Sequence, residues 1–400
     1  MMRKRILVLT STFPRWPGDK EPPFVFELCR RLQQTFDVFI LAPHGPGSKL
    51  METMDGLNIR RYPYFFSKFE HLAYHGGILA NLKEKPLRYL LLPFFLSAQL
   101  LHVCIMLRRH RINLIHAHWI FPQGLIAVIA TMLSGKKIPI LCTSHGGDLY
   151  GLQGPLFRKI KKWVLGKAAA ATVVSSAMKA DLTKIGVRPG KISVIPMGVD
   201  LQNCFVPAGN QTKTGCILFV GRLVPKKGLR FLIEAMPEVL RSHPDTILKI
   251  AGDGQEKDSL VRLSEKLGIR SRVHFVGSVE NECLPTLYQS ADAAVFPFVV
   301  SEDGDREGFG LVVVEAMGCG CPVIVSHLPA INDIVLDDPG TATLVPPGNV
   351  RALASTILDI RNDDKHAKKM GESARASVME RFDWEIIAER YRGLIKSSMV

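Results

Sequence analysis

Short apolar runs alternate with segments of helical periodicity along most of the chain, a pattern typical of parallel sheets with crossover helices. In the first half this pattern predicts strands at Arg5 to Thr10, Val38 to Ala42, Asn58 to Tyr62, Leu114 to His118, Pro139 to Thr143, Ala171 to Val174 and Ile192 to Ile195. In the second half it predicts strands at Cys216 to Val220, Thr246 to Ala251, Val273 to Val276, Ala293 to Phe296, Pro322 to Val325 and Thr341 to Val345. The expected fold class is therefore α/β with doubly wound parallel sheets.

A polar, turn-rich segment at Met197 to Gly215 interrupts this alternation. Together with the length of 400 residues, it predicts two Rossmann-like domains, 1–200 and 201–382, whose facing edges form a cleft. A final helix over 383–400, capped by Asp383, is expected to pack back on the first domain. In open sheets of this kind ligands bind beyond the carboxyl ends of the strands.

Positive charge is concentrated in the first half of the chain. Residues 1–200 contain 28 Lys and Arg against 11 Asp and Glu, whereas residues 201–400 contain 23 against 26. The excess predicts an anionic partner for the first domain, although a solvated basic face is an equally simple interpretation. Pro155 to Lys167 resembles a basic amphipathic helix with Phe157, Ile160 and Val164 on its apolar side, which favours an anionic membrane surface. Basic clusters without interleaved aromatic residues argue against nucleic acid.

Nineteen residues without charge, Tyr89 to Leu107, are about long enough to span a bilayer. A proline at position 93 and strand patterns on both sides favour instead a helix that is buried in the fold or rests on the bilayer. The eight cysteines form no C-x-x-C pair, and the sequence therefore predicts free thiols in a reducing compartment.

The first candidate for ligand chemistry follows the strand at Cys216 to Val220. There Gly221 and Arg222 precede Lys226 and Lys227, just before a helix that is expected to begin near residue 228. Glycine permits close approach of the backbone, and cations beside a helix N-terminus suit a diphosphate. The simpler interpretation is a basic loop without a ligand.

The second candidate is the stretch "SEDGDREGFGLVVVEAMGCGCPVIV", residues 301–325. Despite its valines, the part from residue 311 is predicted to be helical, because glycines allow a tight entry and later glycines and a proline end it. Glu307 then lies in the loop and Glu315 in the helix. Asp303 and Asp305 match the D-x-D pattern of metal-dependent transferases, but three residues are a weak signal and no metal is expected. An acidic solvated loop remains the alternative.

A third candidate is His145, which follows the strand at Pro139 to Thr143 and precedes two glycines. A histidine there can donate hydrogen bonds or transfer protons near neutral pH, although a lone histidine is more often structural. His116 and His118 share one face of a strand. With no further ligand at suitable spacing, they are interpreted as structural or as cleft lining rather than as a zinc site.

The segments "TSHGGD", "IPMGVD", "VGRLVPKKGL" and "DREGFGLVVVEAMGCGCPVI" resemble those of retaining glycosyltransferases of family four, which have the GT-B fold. The resemblance runs from the first strand to the C-terminal helices, and its most specific part is the pair of glutamates eight positions apart. It implies a nucleotide-sugar donor bound mainly by the second domain, with no metal and no cofactor. The residues that it implies are Arg222 and Lys227 for the diphosphate, Glu307 and His145 for the sugar, Glu315 for the ribose, Gly277 and Val279 for the base, and Phe309, Gly310 and Leu311 for further donor contacts.

The expected activity is transfer of a sugar to a hydroxyl of a lipid-linked or polysaccharide acceptor, on the cytoplasmic side of a membrane. Family members often have a glycine pair after the first strand, whereas this chain has "FPRWPGDKEPPF". The chain therefore departs from the family pattern in the loop expected on the acceptor side. A nucleotide-sugar epimerase or a phosphorylase would share the architecture and is the alternative. A nucleic-acid-binding protein would explain the charge but not the two glutamates and their glycines.

Overall fold

The computed structural model describes residues 3–19, 21–74, 76–209, 214–335 and 340–399. The chain forms two compact units, the first comprising Met1–Pro196 with Ile387–Val400 and the second Met197–Ile386. The chain thus passes from the first unit to the second after residue 196, whereas the sequence predicted this boundary after residue 200. Residues 210–213 of the predicted linker lie outside the described residues.

The first unit is built on one eight-stranded sheet in the order β3-β4-β2-β1-β5-β6-β7-β8. Its strands are β1 Arg5–Leu9, β2 Asp37–Pro43, β3 Met51–Met54, β4 Leu57–Tyr62, β5 Leu114–His118, β6 Ile140–Ser144, β7 Ala170–Val173 and β8 Ile192–Val194. All neighbours pair in parallel except β3, an antiparallel edge strand that the periodicity did not predict. The helices are α1 Phe24–Leu32, α2 Ile78–Glu84, α3 Leu92–Arg109, α4 Leu125–Ser134, α5 Gly147–Tyr150, α6 Pro155–Lys167 and α7 Ser176–Lys184.

The second unit has a six-stranded parallel sheet in the order β11-β10-β9-β12-β13-β14. Its strands are β9 Cys216–Val220, β10 Ile247–Ala251, β11 Val273–Gly277, β12 Ala293–Phe296, β13 Val323–Ser326 and β14 Thr343–Val345. The helices are α8 Leu229–Ser242, α9 Lys257–Lys266, α10 Leu284–Gln289, α11 Leu311–Gly318, α12 Asn332–Val335, α13 Val350–Asn362, α14 Asp364–Phe382 and α15 Trp384–Ser398. The prediction of α11 is confirmed, and the two-domain α/β fold with parallel sheets is as expected.

The strands at the centre of each sheet are buried along their whole length because helices cover both faces. Every residue of β5, β9 and β12 is buried; β9 and β12 are accordingly continuous apolar runs, whereas β5 also buries His116 and His118. The helix α15 begins in the second unit and its residues from Ile387 onward belong to the first. Its predicted cap is present, since Asp383 Oδ1 accepts the backbone N–H of Glu385 at 3.0 Å.

The basic helix α6 has the predicted bounds, and part of its apolar side packs against the protein. Val164 is buried, and Phe157 packs its ring 5.7 Å from that of Phe121, so this side faces the protein. Lys161 also points inward and donates to the carbonyls of Leu149 at 2.7 Å and Leu152 at 2.6 Å. Leu156 and Trp163 of α6 are 66 % and 40 % exposed beside the remaining basic residues, and docking of this helix to a membrane stays a prediction.

All eight cysteines are free thiols, as predicted, and five of them are buried. Cys104 and Cys204 are partly buried and Cys283 is exposed. The thiols therefore serve mainly as small apolar core groups.

Candidate functional site

The carboxyl edge of the second sheet is built from closely packed glycines. Gly221, Gly252 and Gly277 end or follow β9, β10 and β11, and the N–H of Gly252 donates to the carbonyl of Gly277 at 2.8 Å. A Cβ at position 252 would lie 1.9 Å from the carbonyl oxygen of Gly221, so no side chain fits there. The result is bare backbone at the edge where ligands of parallel sheets bind.

Lys227 is fixed at this edge by the glycine that follows it. Gly228 has φ of +65° and caps α8, and a Cβ there would lie 1.9 Å from the carbonyl oxygen of Pro297. This contact ties the end of the β9 loop to the residue after β12, the neighbouring strand. Lys227 then lies with Nζ 4.6 Å from the ring centroid of Phe298, while Arg222 remains exposed at the start of the loop.

The Lys227 ammonium and the Glu307 carboxylate form an ion pair at 2.7 Å, with side chains 11 % and 15 % exposed. Burial by itself raises the pKa of Glu307, but Lys227, Lys226 and Arg222 outweigh it and lower that pKa to about 2. Burial lowers the pKa of Lys227, and Glu307 opposes that change. The pair is therefore ionised at neutral pH, and three predicted donor residues share one electrostatic site.

The aspartates of the D-x-D sequence are engaged by protein groups. Asp305 Oδ1 pairs with Lys226 Nζ at 3.1 Å. Asp303 Oδ1 accepts the hydroxyl of Ser301 at 2.7 Å and the N–H of Asp305 at 3.2 Å. In the described ranges no group of three or more His, Cys, Asp and Glu side chains has the arrangement of a metal site. Asp303 thus stabilises its own loop through hydrogen bonds, and the positive charge that pairs with Asp305 is that of Lys226.

Glu315 lies on α11 with its carboxyl group buried. Its Oε2 accepts the hydroxyl of Tyr288 at 3.0 Å. Burial raises the pKa of Glu315 to about 7, against the opposing effects of Tyr288 and Lys227. Two carboxyl groups near one lysine thus differ in protonation, Glu307 being charged and Glu315 half protonated near pH 7.

The other predicted donor residues lie at the start of α11 and at the end of β11. Gly310 caps α11 with φ of +95°, and Leu311 is its first, half-buried residue. The Phe309 ring is buried against Phe382 at 5.5 Å, which leaves only the backbone of this residue for contact with a ligand. Gly277 ends β11 with φ of +76°, and Val279 is half-buried two residues later.

His145 and its neighbours form a separate polar site at the carboxyl edge of the first sheet. His145 Nε2 lies 3.0 Å from Nδ1 of His118, with the rings stacked at 8°. The rings of His116 and His118 are 4.2 Å apart, as their shared strand face predicts. Within the described part of the chain, Nδ1 of His145 has no hydrogen-bond partner. The atom itself is buried, and the ring centroid lies 4.8 Å from that of Phe24 and 5.0 Å from that of Trp119.

Burial lowers the pKa of His145 to about 3, and His116 adds to this effect. His145 is therefore a neutral imidazole at physiological pH. A neutral imidazole can donate one hydrogen bond and accept another, and the hydrogen-bonding role of His145 stays a prediction. Asp148 holds the loop that follows, since its Oδ1 accepts the Ser144 hydroxyl at 2.8 Å and its Oδ2 the Ile120 N–H at 2.6 Å.

A chain of hydroxyl groups continues from the histidines to the C-terminal helix. His116 Nε2 lies 2.8 Å from Oγ1 of Thr143, which lies 2.6 Å from Oγ1 of Thr172. Thr172 in turn lies 3.4 Å from the hydroxyl of Tyr391 on α15. Tyr391 thus lies at the far end of a series of polar contacts that begins at His116.

Comparison with known proteins identifies the family. The model described as Glycosyltransferase Family 4 matches residues 23–203, and the one described as Glycosyl transferases group 1 matches residues 204–377. This chain belongs to glycosyltransferase family four. The two matches adjoin and leave only the ends of the chain outside, so both units of the glycosyltransferase are covered.

Two relatives illustrate the similarity of the glycosyltransferase to characterised proteins. A glycogen synthase of Mycobacterium tuberculosis is 29 % identical over 291 residues, 70 % of this chain and 68 % of that protein. A GDP-mannose-dependent alpha-(1-6)-phosphatidylinositol monomannoside mannosyltransferase of Mycolicibacterium smegmatis is 28 % identical over 285 residues, 68 % of this chain and 74 % of that protein.

Solved structures show the same GT-B fold. Sucrose-phosphate synthase from Thermosynechococcus elongatus has a TM-score of 0.78 at 24 % identity and covers 99 % of each chain. The Anabaena protein HepE in complex with UDP and glucose has a TM-score of 0.74 at 18 % identity, covering 99 % of this chain and 100 % of that one.

Sequence reasoning left several residues of the glycosyltransferase site without a role. Gly254, like Gly252, allows close backbone packing, because a Cβ there would lie 2.4 Å from the carbonyl oxygen of Leu223. The pattern G-x-G directly after β10 could have predicted this close packing from the sequence. The partners of Tyr288 and Lys226, by contrast, are 27 and 79 positions away along the chain and carry no local signal.

The protonation of Glu315 gives a prediction for the pH dependence of stability. A carboxyl group whose pKa rises from 4.5 to about 7 on folding makes the native state bind the extra proton between these values. Stability is then lost as pH increases through this window, by about 3 kcal/mol. Urea unfolding at pH 5 and pH 8 should show this loss in the wild type and not in Glu315→Gln. Equal pH dependence of the two proteins would mean that Glu315 is ionised in the fold.

Proposed function

We propose that this glycosyltransferase is a retaining, metal-independent enzyme that moves a sugar from a nucleotide-diphosphate donor to an acceptor hydroxyl. The observation that carries the proposal is the ion pair of Lys227 and Glu307 beside Arg222, at the bare glycine edge of a parallel sheet. Cations at such an edge suit a diphosphate, and a carboxylate held ionised suits the hydroxyls of a sugar.

The reaction breaks the bond between the anomeric carbon and the phosphate oxygen, and negative charge develops on the leaving diphosphate. Arg222, Lys227 and the first N–H groups of α11 at Leu311 would stabilise that charge. Glu307 would bind the donor sugar and Glu315 the ribose. His145, as a neutral imidazole, would hydrogen-bond to the sugar.

Metal independence is supported by the side chains that a metal would need. Asp305 is already neutralised by Lys226 at 3.1 Å, and Asp303 accepts hydrogen bonds from its own loop. A magnesium ion there would displace a lysine that is only 11 % exposed. Arg222 and Lys227 supply positive charge for the diphosphate instead.

A lipid-linked or polysaccharide acceptor on the cytoplasmic face of a membrane fits the distribution of charge. The first 200 residues hold 28 Lys and Arg against 11 Asp and Glu, and such an excess attracts anionic headgroups. The relative from Mycolicibacterium smegmatis is named for a phosphatidylinositol mannoside, a lipid-linked saccharide. We therefore place the enzyme peripherally on the inner face of the membrane.

A panel of UDP-, GDP- and ADP-sugars tests the proposed function. The cognate donor should raise the unfolding temperature of the protein in the presence of a chelator, because a ligand that binds only the native state stabilises it. Incubation with donor should release the nucleoside diphosphate, and NMR of the glycoside formed should show an unchanged anomeric configuration. An isomerised sugar nucleotide from donor alone would indicate an epimerase, and a strict need for magnesium would contradict metal independence.

A further inference from the structure

An exposed cluster of aromatic rings lies on the first unit and is unrelated to either polar site. This aromatic patch consists of Phe65, Phe66, Phe69 and Phe94, which are 38 %, 70 %, 48 % and 53 % exposed. The ring centroid of Phe65 lies 5.1 Å from that of Phe66, 6.3 Å from that of Phe69 and 5.4 Å from that of Phe94. The four rings therefore form one continuous apolar surface, which soluble proteins rarely expose without a partner.

The apolar surface continues into the turn that precedes α3. Leu87 and Leu90 are 81 % and 70 % exposed, and Leu90 precedes Phe94 by one helical turn. The next residue, Phe95, points the opposite way and is buried, with its ring 5.5 Å from Tyr62 and 5.1 Å from Tyr64. One face of this segment is thus buried in the core, and the opposite face is exposed.

Buried polar groups hold the patch in place. The backbone N–H groups of Tyr64 and Phe65 both donate to Oε1 of Glu70, at 2.6 Å and 3.1 Å. The Oε2 of Glu70 contacts Nδ1 of His44 in the interior, and the hydroxyl of Tyr64 accepts the N–H of Leu72 at 2.9 Å. Both ends of the loop are therefore anchored, and the rings are presented outward on a fixed support.

The charges around the patch identify the kind of partner. Residues 64–91 include four Lys and Arg but two Asp and Glu, and one of these acids, Glu70, is buried. Lys68 lies with Nζ 5.0 Å from the Phe69 ring, so a cation accompanies the exposed aromatic surface. Aromatic rings beside cations suit the interface of an anionic bilayer. A symmetric contact with a second copy would instead bring like charges together.

The same segment, Pro86–Arg109, is long and apolar enough to span a bilayer by length and composition. However, α3 connects β4 to β5 within one sheet, and Phe95, Val103 and Leu107 of α3 are buried in the unit. Crossing the membrane would require this packing to be lost. The surface is therefore suited to partial insertion from one side.

We infer that the aromatic patch, together with Leu87 and Leu90, inserts into the interfacial region of an anionic lipid bilayer and anchors the enzyme there. The inference rests on the membrane placement proposed above and deepens it, because it names the surface that contacts the lipid. It concerns a surface separate from α6, where Val164 is buried and Phe157 packs against Phe121.

Vesicle binding tests the anchor with matched variants. We expect the wild type to sediment with vesicles of phosphatidylcholine and phosphatidylglycerol, and the variant with Phe66→Ser and Phe94→Ser to bind at least about tenfold more weakly. The control carries Met132→Ser and Leu133→Ser, which are 63 % and 67 % exposed on α4. These residues lie at the opposite end of α3, where Lys136 donates to the Leu107 carbonyl, and the control should bind like the wild type.

A depth measurement separates insertion from adsorption by charge alone. A tryptophan introduced as Phe66→Trp should be quenched by brominated lipid acyl chains, whereas an adsorbed protein would show no added quenching relative to the wild type. Unchanged vesicle binding by the double serine variant would overturn the inference. So would a wild-type dimer in light scattering that this variant converts to a monomer.

The same serine variant also distinguishes this inference from the proposed function. Its binding of nucleotide-sugar in solution should equal that of the wild type, because the patch and the donor residues belong to different units. If the wild type bound vesicles but bound no nucleotide-sugar, the inference of a lipid anchor would stand and the proposed function would be rejected.

Discussion

Replacing Glu307 by glutamine is expected to lower kcat/KM for sugar transfer by about 10²- to 10³-fold, with the fold retained. Glutamine keeps the size and one hydrogen-bond acceptor but removes the charge that offsets Lys227 at 2.7 Å. The unpaired ammonium is then less stable in its buried position, and the donor sugar loses a charged partner. Glu307→Ala should go further and abolish transfer. Steady-state kinetics with the cognate donor, and circular dichroism for the fold, measure both effects.

Asp305→Asn provides the matched control for this experiment. Asp305 also pairs with a lysine of the same loop, Lys226, but at 3.1 Å and with a side chain that is 31 % exposed. Loss of a partly exposed pair changes stability by at most about 1 kcal/mol, and we expect kcat/KM to change by less than about tenfold. If Glu307→Gln turned over at a near-normal rate, or if both variants lost activity equally, the chemistry would lie elsewhere.

The second large effect is expected from Gly228→Ala, which should destabilise the second unit by about 4 kcal/mol or more. A Cβ at this position would lie 1.9 Å from the carbonyl oxygen of Pro297. Relief of that clash requires the β9 loop to move away from β12, and Lys227 moves with it. Donor binding should therefore weaken even at temperatures where the protein stays folded, which urea unfolding and calorimetric titration would measure.

Gly268→Ala separates the clash from the cost of a left-handed backbone. Gly268 has φ of +69°, close to the +65° of Gly228, but a Cβ there meets no atom within 4 Å. The control should lose only the roughly 1–2 kcal/mol that the conformation itself costs an alanine, with donor binding unchanged. Similar losses in the two variants would show that the contact with Pro297 does not hold the loop.

Strands and helices with a strong local pattern could be predicted well from the sequence. The strands Cys216–Val220 and Ala293–Phe296 have the predicted bounds, because burial on both faces leaves a continuous apolar run between turns. The segment at Leu311–Gly318 required a choice against the strand propensity of three valines, and the flanking glycines decided it correctly. In contrast, Met51–Met54 is a four-residue edge strand with mixed exposure, and it carries no periodicity to detect.

The parts of the site that depend on sequence motifs could be predicted. The parts that depend on contacts between side chains distant in the sequence could not. The neighbours of Glu307 along the chain predicted a loop carboxylate but not its partner, which lies 80 positions away. The neutral state of His145 and the raised pKa of Glu315 result from burial, which requires the folded packing. The inward turn of Lys161 on α6 likewise follows from carbonyl acceptors supplied by another loop.

The assignment of Ile387–Val400 to the first unit has a consequence for synthesis on the ribosome. The hydroxyl of Tyr391, which lies 3.4 Å from Thr172, is translated only after every residue of the second unit. The packing of the first unit is therefore completed only after residues from Ile387 onward have been translated, although domains usually fold in their order of emergence. A nascent chain stalled before Ile387 would carry a complete donor-binding half and an unfinished partner.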